Sequence, residues 1–146
     1  MPQLPAEIFK AYDIRGIVDK SLTANVVRKI GQALGTLALE QGQTAIAVGR
    51  DGRLSGPELA GALRDGIRAA GCDASDVGCV PTPLTYFAAY ELGCNSCVSV
   101  TGSHNPPDYN GLKMVIAGTT LALDAIQDLK RRIEAGQVRS GQGSKR

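Results

Sequence analysis

The chain has 146 residues, a length that suits one domain with its own hydrophobic core. Its hydrophobic content of 43% is ordinary, and its net charge of +2 comes from well-mixed acidic and basic residues, which argues against a nucleic-acid or membrane-surface partner. No apolar run is long enough to span a bilayer, and the N-terminus lacks the basic flank and apolar stretch of a signal peptide. We therefore predict a cytoplasmic protein.

The first part of the chain predicts an arm, a short extended piece and a helix. Residues 1–7 have the character of an arm, and residues 8–18 mix apolar and polar side chains as an extended segment with a loop does. Residues 23–41 are predicted to form a helix that ends before Gly42. Its apolar face has helical spacing and comprises Val26, Val27, Ile30, Leu34, Leu37 and Ala38.

Two strand–helix units are predicted next. Residues 44–48 suit a buried strand, and a helix opens after the loop at 49–55, where Ser55 and Glu58 have the spacing of a capping box. A second strand is predicted over 76–80. The helix that follows has Thr82 as its predicted N-cap and an inward face made of Leu84, Phe87, Ala88 and Leu92.

The last third predicts two strands and a helix. Residues 96–100 and 112–117 are apolar and only about ten residues apart, too few for a parallel crossover, so these strands should be antiparallel. A helix is predicted over 124–135, and residues 137–146 have the composition of a linker or tail. The prediction for residues 1–136 is an α/β domain, a three-layer α/β/α sandwich with a mixed sheet of about four main strands, the last antiparallel.

The four cysteines are predicted to be free thiols. Cys94 and Cys97 have the spacing of a metal or redox pair, but a zinc site needs about four ligands and the chain has only one His and two scattered Cys besides them. A redox pair opens a helix after a strand, whereas this pair runs into a strand. Buried small hydrophobic side chains are the role that we predict.

The most informative stretch is Thr-Gly-Ser-His-Asn-Pro-Pro at 101–107, which follows the predicted strand 96–100. These residue types also build ordinary turns. However, the loop is longer than a hairpin needs, the single histidine His104 follows Ser103, and Lys113 interrupts an apolar strand, where an unpaired charge is costly. Ser103 is therefore a candidate nucleophile.

A second loop should meet this one. Arg50, Asp51 and Arg53 follow the first parallel strand, and ligands gather where such strands end. Arginine forks suit the three oxygens of a phosphoserine, whose charge is about −1.5 to −2. We expect a cationic cluster around Ser103, made of Arg15, Arg50, Arg53, His104 and Lys113. The alternative, a salt-bridged surface loop at 50–53, stays open, and for Arg53 the two interpretations weigh equally.

Four motifs resemble those of the α-D-phosphohexomutases, the phosphomannomutase/phosphoglucomutase family. They are, in chain order, Phe-Lys-Ala-Tyr-Asp-Ile-Arg-Gly at 9–16, Gly-Arg-Asp-Gly-Arg at 49–53, the loop at 101–107 and Tyr-Asn-Gly-Leu-Lys at 109–113. The resemblance covers residues 6–136 and implies only the first of the family's four domains. It agrees with the predicted fold.

The resemblance implies a mechanism. Ser103 would be phosphorylated and would pass its phosphoryl group to a hexose 1-phosphate or 6-phosphate, and a bisphosphate intermediate would return the other phosphoryl group. A glucose 1,6-bisphosphate-type activator would load the serine. Mg²⁺ would bridge the phosphoserine at Ser103 and an aspartate-rich loop that this chain lacks.

The resemblance also implies roles for individual residues. Lys113 matches a general acid/base and His104 a neighbour that assists proton transfer. Tyr12 and Arg15 match contacts near the substrate. Asn110, whose role in its motif is less defined, is assigned with them to substrate or phosphate binding. Arg50 would help to hold the phosphoserine or metal loop.

The missing domains would be partners of this one, which implies that the chain alone is inactive and exposes a patch where they dock. Two alternatives stay open. One is a non-catalytic phosphate-binding or assembly module on the same fold, and the other is a mutase domain for phosphoglucosamine or a phosphopentose. An intact Ser103, His104 and Lys113 favours the enzyme.

Overall fold

Alternating strand and helix segments build a single mixed sheet in the computed structural model, which describes residues 4–102 and 104–144. The strands are β1 Ile14–Ile17, β2 Ala45–Arg50, β3 Asp73–Cys79, β4 Cys97–Val100, β5 Tyr109–Ile116 and β6 Thr119–Thr120. The helices are α1 Ala24–Glu40, α2 Gly56–Ala69, α3 Thr82–Glu91 and α4 Asp124–Ala135, and a 3₁₀ turn spans Ala6–Ile8.

The strand order is β1-β5-β4-β2-β3, with β6 paired to the free end of β5. β2 runs parallel to β3 and β4, whereas β5 runs antiparallel to β4, β1 and β6. The predicted α/β/α sandwich is thus confirmed, including the antiparallel strand after the loop at 101–108. The four main strands expected from the sequence are β2 to β5, and β1 and β6 extend the sheet.

The sheet has one richly apolar face and one face of small side chains. Ile46, Val48, Val98, Leu112 and Met114 point towards α1, α2 and α4 and form the main core with them. On the other face, α3 lies over a smaller cluster made of Ala45, Ala47, Ala89, Cys94 and Cys97. Helices therefore cover both faces, three on one side and α3 on the other.

The helix α3 does not bury the face predicted for it. Leu84, Phe87 and Leu92 are at least half exposed, and the residues that turn inward are Thr85 and Ala89. The reason lies in the strands beneath, where Ala45, Ala47 and Gly49 leave room only for a close approach, and a Cβ at Gly49 would overlap the Thr85 hydroxyl. Because apolar residues surround α3 on all sides, periodicity could not identify the buried side.

Both predicted caps are corrected. Ser55 does occupy the N-cap of α2, but its hydroxyl makes no capping bond and instead accepts from Asn110 Nδ2 at 2.9 Å. The N-cap of α3 is Pro81, and the Thr82 hydroxyl lies 3.2 Å from the Ser99 hydroxyl of β4. In both places a tertiary hydrogen bond replaces the local one that the spacing suggested.

Two strands begin three residues earlier than predicted. The missed residues of β3 start at Asp73, which pairs with Ala45, and those of β5 start at Tyr109, which pairs with Ile17 of β1. Both stretches are polar or contain glycine, so they have no strand signal of their own. Neighbouring strands impose their extended conformation.

Residues 138–144 lie along α1, α2 and the edge of β3. Arg139 N donates to the Thr36 hydroxyl at 2.9 Å, and Gly141 N donates to the Ala69 carbonyl at 2.7 Å. At the end of this segment, Ala74 N donates to the Ser144 carbonyl at 3.0 Å, so the segment covers the start of the otherwise open edge strand.

All four cysteines are free thiols, as predicted, but Cys79 is exposed rather than buried. Burial, with Cys94 nearby, raises the pKa of the Cys97 thiol to about 12, so this thiol stays protonated and unreactive at pH 8. We expect iodoacetamide to alkylate Cys79 in the folded protein, and the three buried cysteines only after unfolding. Peptide mapping checks this, and alkylation of Cys97 at the rate of Cys79 would contradict the buried arrangement.

Candidate functional site

The site forms where β2 and β4 end, because these parallel neighbours bring two loops together. Asp51 N, just after β2, donates to the carbonyl of Val100, the last residue of β4, at 2.9 Å. The loop at 51–55 therefore lies against the loop at 101–108, called here the serine loop. This is the edge of the sheet at which the sequence predicted a ligand site.

Asp51 holds the first turn of the serine loop. Its Oδ2 accepts from the Thr101 hydroxyl and from Gly102 N, each at 2.9 Å. Its Oδ1 accepts from Arg53 N at 3.1 Å, which fixes the turn of its own loop. One carboxylate thus joins both loops through charge-assisted hydrogen bonds.

Arg53 holds the rest of the serine loop from the inside. Its guanidinium donates to three backbone carbonyls, those of Asn105 at 2.7 Å, Pro106 at 2.6 Å and Tyr109 at 3.0 Å. It also pairs with Asp51 at 3.5 Å, and its side chain is only 16% exposed. The structure therefore uses Arg53 to organise the loop backbone.

The approach of Arg53 leaves no room for a side chain at position 102. A Cβ on Gly102 would overlap the guanidinium of Arg53. Glycine at this position thus allows the arginine to pass directly beneath the backbone that leads to Ser103.

Asn105 and Arg15 connect the serine loop to β1. The backbone N and the Nδ2 of Asn105 both donate to the Gly102 carbonyl, at 3.0 and 2.9 Å, and so hold these two residues together. Arg15 donates to Asn105 Oδ1 at 3.5 Å and to Asp13 Oδ2 at 2.9 Å. The guanidinium of Arg15 therefore lies beside the serine loop, as the sequence predicted.

Asn110 supports the site from the core. Its side chain is fully buried, its Nδ2 donates to the Ser55 hydroxyl at 2.9 Å, and its Oδ1 accepts from Gly111 N at 2.9 Å. It thereby fixes the start of β5 against the start of α2. The structure gives Asn110 a positioning role, and its predicted contact with a substrate stays a prediction.

Lys113 and Arg15 share one face of the sheet. Arg15 pairs with Gly111 and Lys113 stands two residues further along β5, opposite Ser99. Lys113 is half-buried, whereas His104 and Tyr12 are exposed, Tyr12 to 70%. Ser103, the predicted phosphocarrier and metal ligand, lies outside the described residues.

Arg50 points away from this group. Its guanidinium pairs at 3.7 Å with Asp76 of β3, which Arg64 of α2 also approaches at 3.5 Å. Of the predicted cationic cluster, the structure thus places Arg15 and Arg53 against the serine loop and Lys113 in the adjoining strand. Asp51 was expected at this edge of the sheet together with Arg50 and Arg53, but no role was predicted for it. Its place in an Asp–Gly–Arg sequence directly after a buried strand was the signal in the sequence.

Comparisons with known proteins agree with this geometry. Residues 6–140 match the family model for phosphoglucomutase/phosphomannomutase, alpha/beta/alpha domain I. A phosphomannomutase/phosphoglucomutase of Pseudomonas aeruginosa is 57% identical over 143 residues, 98% of this chain and 31% of that protein. A phosphoglucomutase of Neisseria meningitidis serogroup B is 54% identical over 134 residues, 92% of this chain and 29% of that protein.

The fold comparison gives the same result. A crystal structure of a phosphoglucomutase/phosphomannomutase family protein from Burkholderia thailandensis superposes with a TM-score of 0.94 at 53% identity, over 99% of this chain and 33% of that one. The chain thus spans about a third of the length of the relatives it matches. It belongs to the phosphoglucomutase/phosphomannomutase family, of which it forms the N-terminal α/β/α domain I.

Proposed function

We propose that this domain carries the phosphoserine of a cytoplasmic hexose-phosphate mutase, which moves a phosphoryl group between the 1- and 6-positions of glucose or mannose. The observation that carries the proposal is the construction of the serine loop. Six hydrogen bonds made by Asp51, Arg53 and Asn105 hold the chain on both sides of position 103. Such a hydrogen-bond network around one serine suits a group whose position decides the reaction.

In the proposed step, a hydroxyl oxygen of the sugar phosphate attacks the phosphorus of phosphorylated Ser103. The new O–P bond forms as the bond to the Ser103 Oγ breaks, the hydroxyl proton passes to a base, and the serine oxygen takes up a proton. Lys113, half-buried in β5, and His104, next to the serine, are the proposed proton carriers. Arg15 and the exposed Tyr12 would bind the substrate beside the loop.

Mg²⁺ belongs to the proposal, but the described residues do not form its site alone. No group of three or more His, Cys, Asp or Glu within residues 4–102 and 104–144 could hold a metal ion. Asp51, the carboxylate that touches the serine loop, already accepts from Thr101, Gly102 and Arg53. Carboxylates from the remainder of a longer enzyme would have to complete a magnesium site at phosphorylated Ser103.

We further propose that the partners of this domain are a hexose phosphate and the later domains of the longer enzyme, rather than nucleic acid or a membrane. Across the part of the chain that the structure describes, every helix is too short or too polar to cross a bilayer. The 146-residue chain alone should lack mutase activity, because the remaining contacts to the sugar and the carboxylates for the metal would come from those domains.

The test replaces the matched residues of the Pseudomonas aeruginosa enzyme with this chain, giving a full-length hybrid protein. We expect the hybrid to convert glucose 1-phosphate into glucose 6-phosphate in the presence of glucose 1,6-bisphosphate, and Ser103→Ala to abolish that conversion. Ser144→Ala, in the segment along β3, is the matched control and should keep the rate. A hybrid whose Ser103→Ala variant keeps its rate would show that another group carries the phosphoryl.

A further inference from the structure

The outer side of α3 is an exposed apolar stripe. Leu84, Phe87 and Tyr90 follow each other at three-residue spacing and are exposed to 50%, 60% and 77%. Tyr86 flanks them and is also exposed. These four residues are called the α3 stripe below. Bulky apolar side chains of this kind are usually buried when they occur together.

The other long helices do not share this property. α4 buries Ile126, Leu129 and Ile133 and turns charged residues such as Arg131 and Glu134 to solvent. α3, by contrast, turns the small residues Thr85 and Ala89 inward and its large apolar side chains outward. Large apolar side chains grouped on the outer side of a helix are expected to be covered by a further layer, and the described residues provide none over this side of α3.

The surroundings of the stripe extend the same surface. Among the described residues, α3 is the helix that covers the second sheet face, and it lies over β2 and β4. On the same face, Ile17 of β1 and Val115 of β5 remain half-buried. A second layer packed on the α3 stripe would also cover these two half-buried residues on the same face of the sheet.

We propose that the α3 stripe is the docking surface for the region that follows domain I in a longer phosphohexomutase chain. The inference rests on the proposed function, in that it assumes that the domain works inside such an enzyme. Its relatives are roughly three times as long as this chain, so two-thirds of their length must pack somewhere. An aromatic stripe with one carboxylate, Glu91, near its end suits an apolar protein surface.

The position of the last described residue supports this occupant. Ser144 is bonded to Ala74 and to Asp73 Oδ1, at the start of edge strand β3. Asp73 pairs with Ala45 of β2, which lies in the small cluster beneath the C-terminal half of α3. Ser144 therefore lies at the sheet edge next to β2, which is one of the two strands that α3 covers.

The test is hydroxyl-radical footprinting of the isolated chain, at several concentrations, and of the full-length hybrid with the Pseudomonas aeruginosa enzyme. We expect oxidation of Phe87 and Tyr90 to fall several-fold in the hybrid. Leu123, which is 57% exposed at the start of α4, is the internal control and should not change. Equal oxidation of Phe87 in both proteins would overturn the proposal. Protection of Phe87 in the isolated chain that increases with protein concentration would also overturn it, because a second copy of the chain would then cover the stripe.

The unfolding temperatures of a matched pair of variants test the proposal independently. Phe87→Ser combined with Tyr90→Ser should leave the unfolding temperature of the isolated chain nearly unchanged but lower that of the hybrid by several degrees, whereas Leu123→Ser should affect the two proteins alike. Equal shifts for both variants would contradict docking at α3.

Activity of the same hybrid separates the two proposals. An active hybrid with an exposed stripe refutes the docking surface alone, and an inactive hybrid with a protected stripe refutes the proposed function alone.

Discussion

Arg53→Met is expected to lower the free energy of unfolding by about 2–4 kcal/mol, because it removes a buried cation that serves four partners. Two carbonyls of the serine loop and that of Tyr109, the first residue of β5, lose this donor, and Asp51 loses its ion pair. Methionine keeps most of the side-chain volume, so the loss reports the guanidinium rather than a cavity. Urea unfolding measures it, and hydrogen exchange at 102–111 should rise in the same variant.

The matched control is Arg131→Met. Arg131 also pairs with a carboxylate, Asp128 at 3.2 Å, but its side chain is 69% exposed, so we expect a change of no more than about 0.5 kcal/mol. Arg53→Lys should fall between the two variants, since one ammonium cannot reach three carbonyls as the fork does. If Arg53→Met were as stable as Arg131→Met, with unchanged exchange in the loop, Arg53 would not organise the loop.

Gly66→Ala should destabilise the domain by about 1–3 kcal/mol, against the general preference of helices for alanine. Gly66 is where α2 crosses α1, and a Cβ there would overlap the carbonyl oxygen of Arg28. Backbone atoms cannot turn aside as a flexible side chain can, so the two helices would have to separate. Thermal and urea unfolding measure the effect.

Gly61 of the same helix provides the control. The nearest atom to an added Cβ there is a guanidinium nitrogen of Arg64 at 3.9 Å, which is ordinary contact. Gly61→Ala should therefore stabilise the domain by about 0.5–1 kcal/mol. Opposite signs for two Gly→Ala changes in one helix are the expected result, and equal signs would mean that the close contact of α1 and α2 is wrong.

Periodic apolar patterns carried most of the fold prediction. Of its predicted apolar face, α1 buries Val27, Ile30, Leu34 and Ala38 and leaves Val26 and Leu37 half-buried. The helix α4 has the predicted bounds, 124–135. The antiparallel pairing of β4 and β5 followed from the short connection between them. These features depend on residues that are close together in the chain, so they could be predicted from the sequence.

Features that depend on a partner elsewhere in the chain were harder to predict. The polar start of β5 is extended because β1 pairs with it, and α3 buries Thr85 and Ala89 because the strands beneath it carry small residues. The hydroxyl of Ser55 bonds Asn110, which is 55 residues away. None of these long-range contacts produces a periodic pattern that could be recognised in the sequence.

The candidate site, too, could be predicted only in part from the sequence. The family motifs identified both loops, and chain order placed them at one edge of the sheet. The motifs did not reveal that Arg53 lies beneath the serine loop, because that geometry depends on a glycine at 102 and on carbonyls at 105, 106 and 109. The close approach could be read only from the folded chain.

The most direct test of the central claim is peptide mass spectrometry of the active hybrid after incubation with glucose 1,6-bisphosphate. The proposed function predicts one added phosphate, located by fragmentation at Ser103. If the bisphosphate carries isotopically labelled phosphoryl groups, excess unlabelled glucose 1-phosphate should replace the label at Ser103 during turnover, because each cycle passes one phosphoryl group to the sugar and returns the other. An active hybrid with no phosphate at Ser103, or with turnover-dependent phosphate on another residue such as His104, would contradict the assignment of Ser103 as the phosphocarrier.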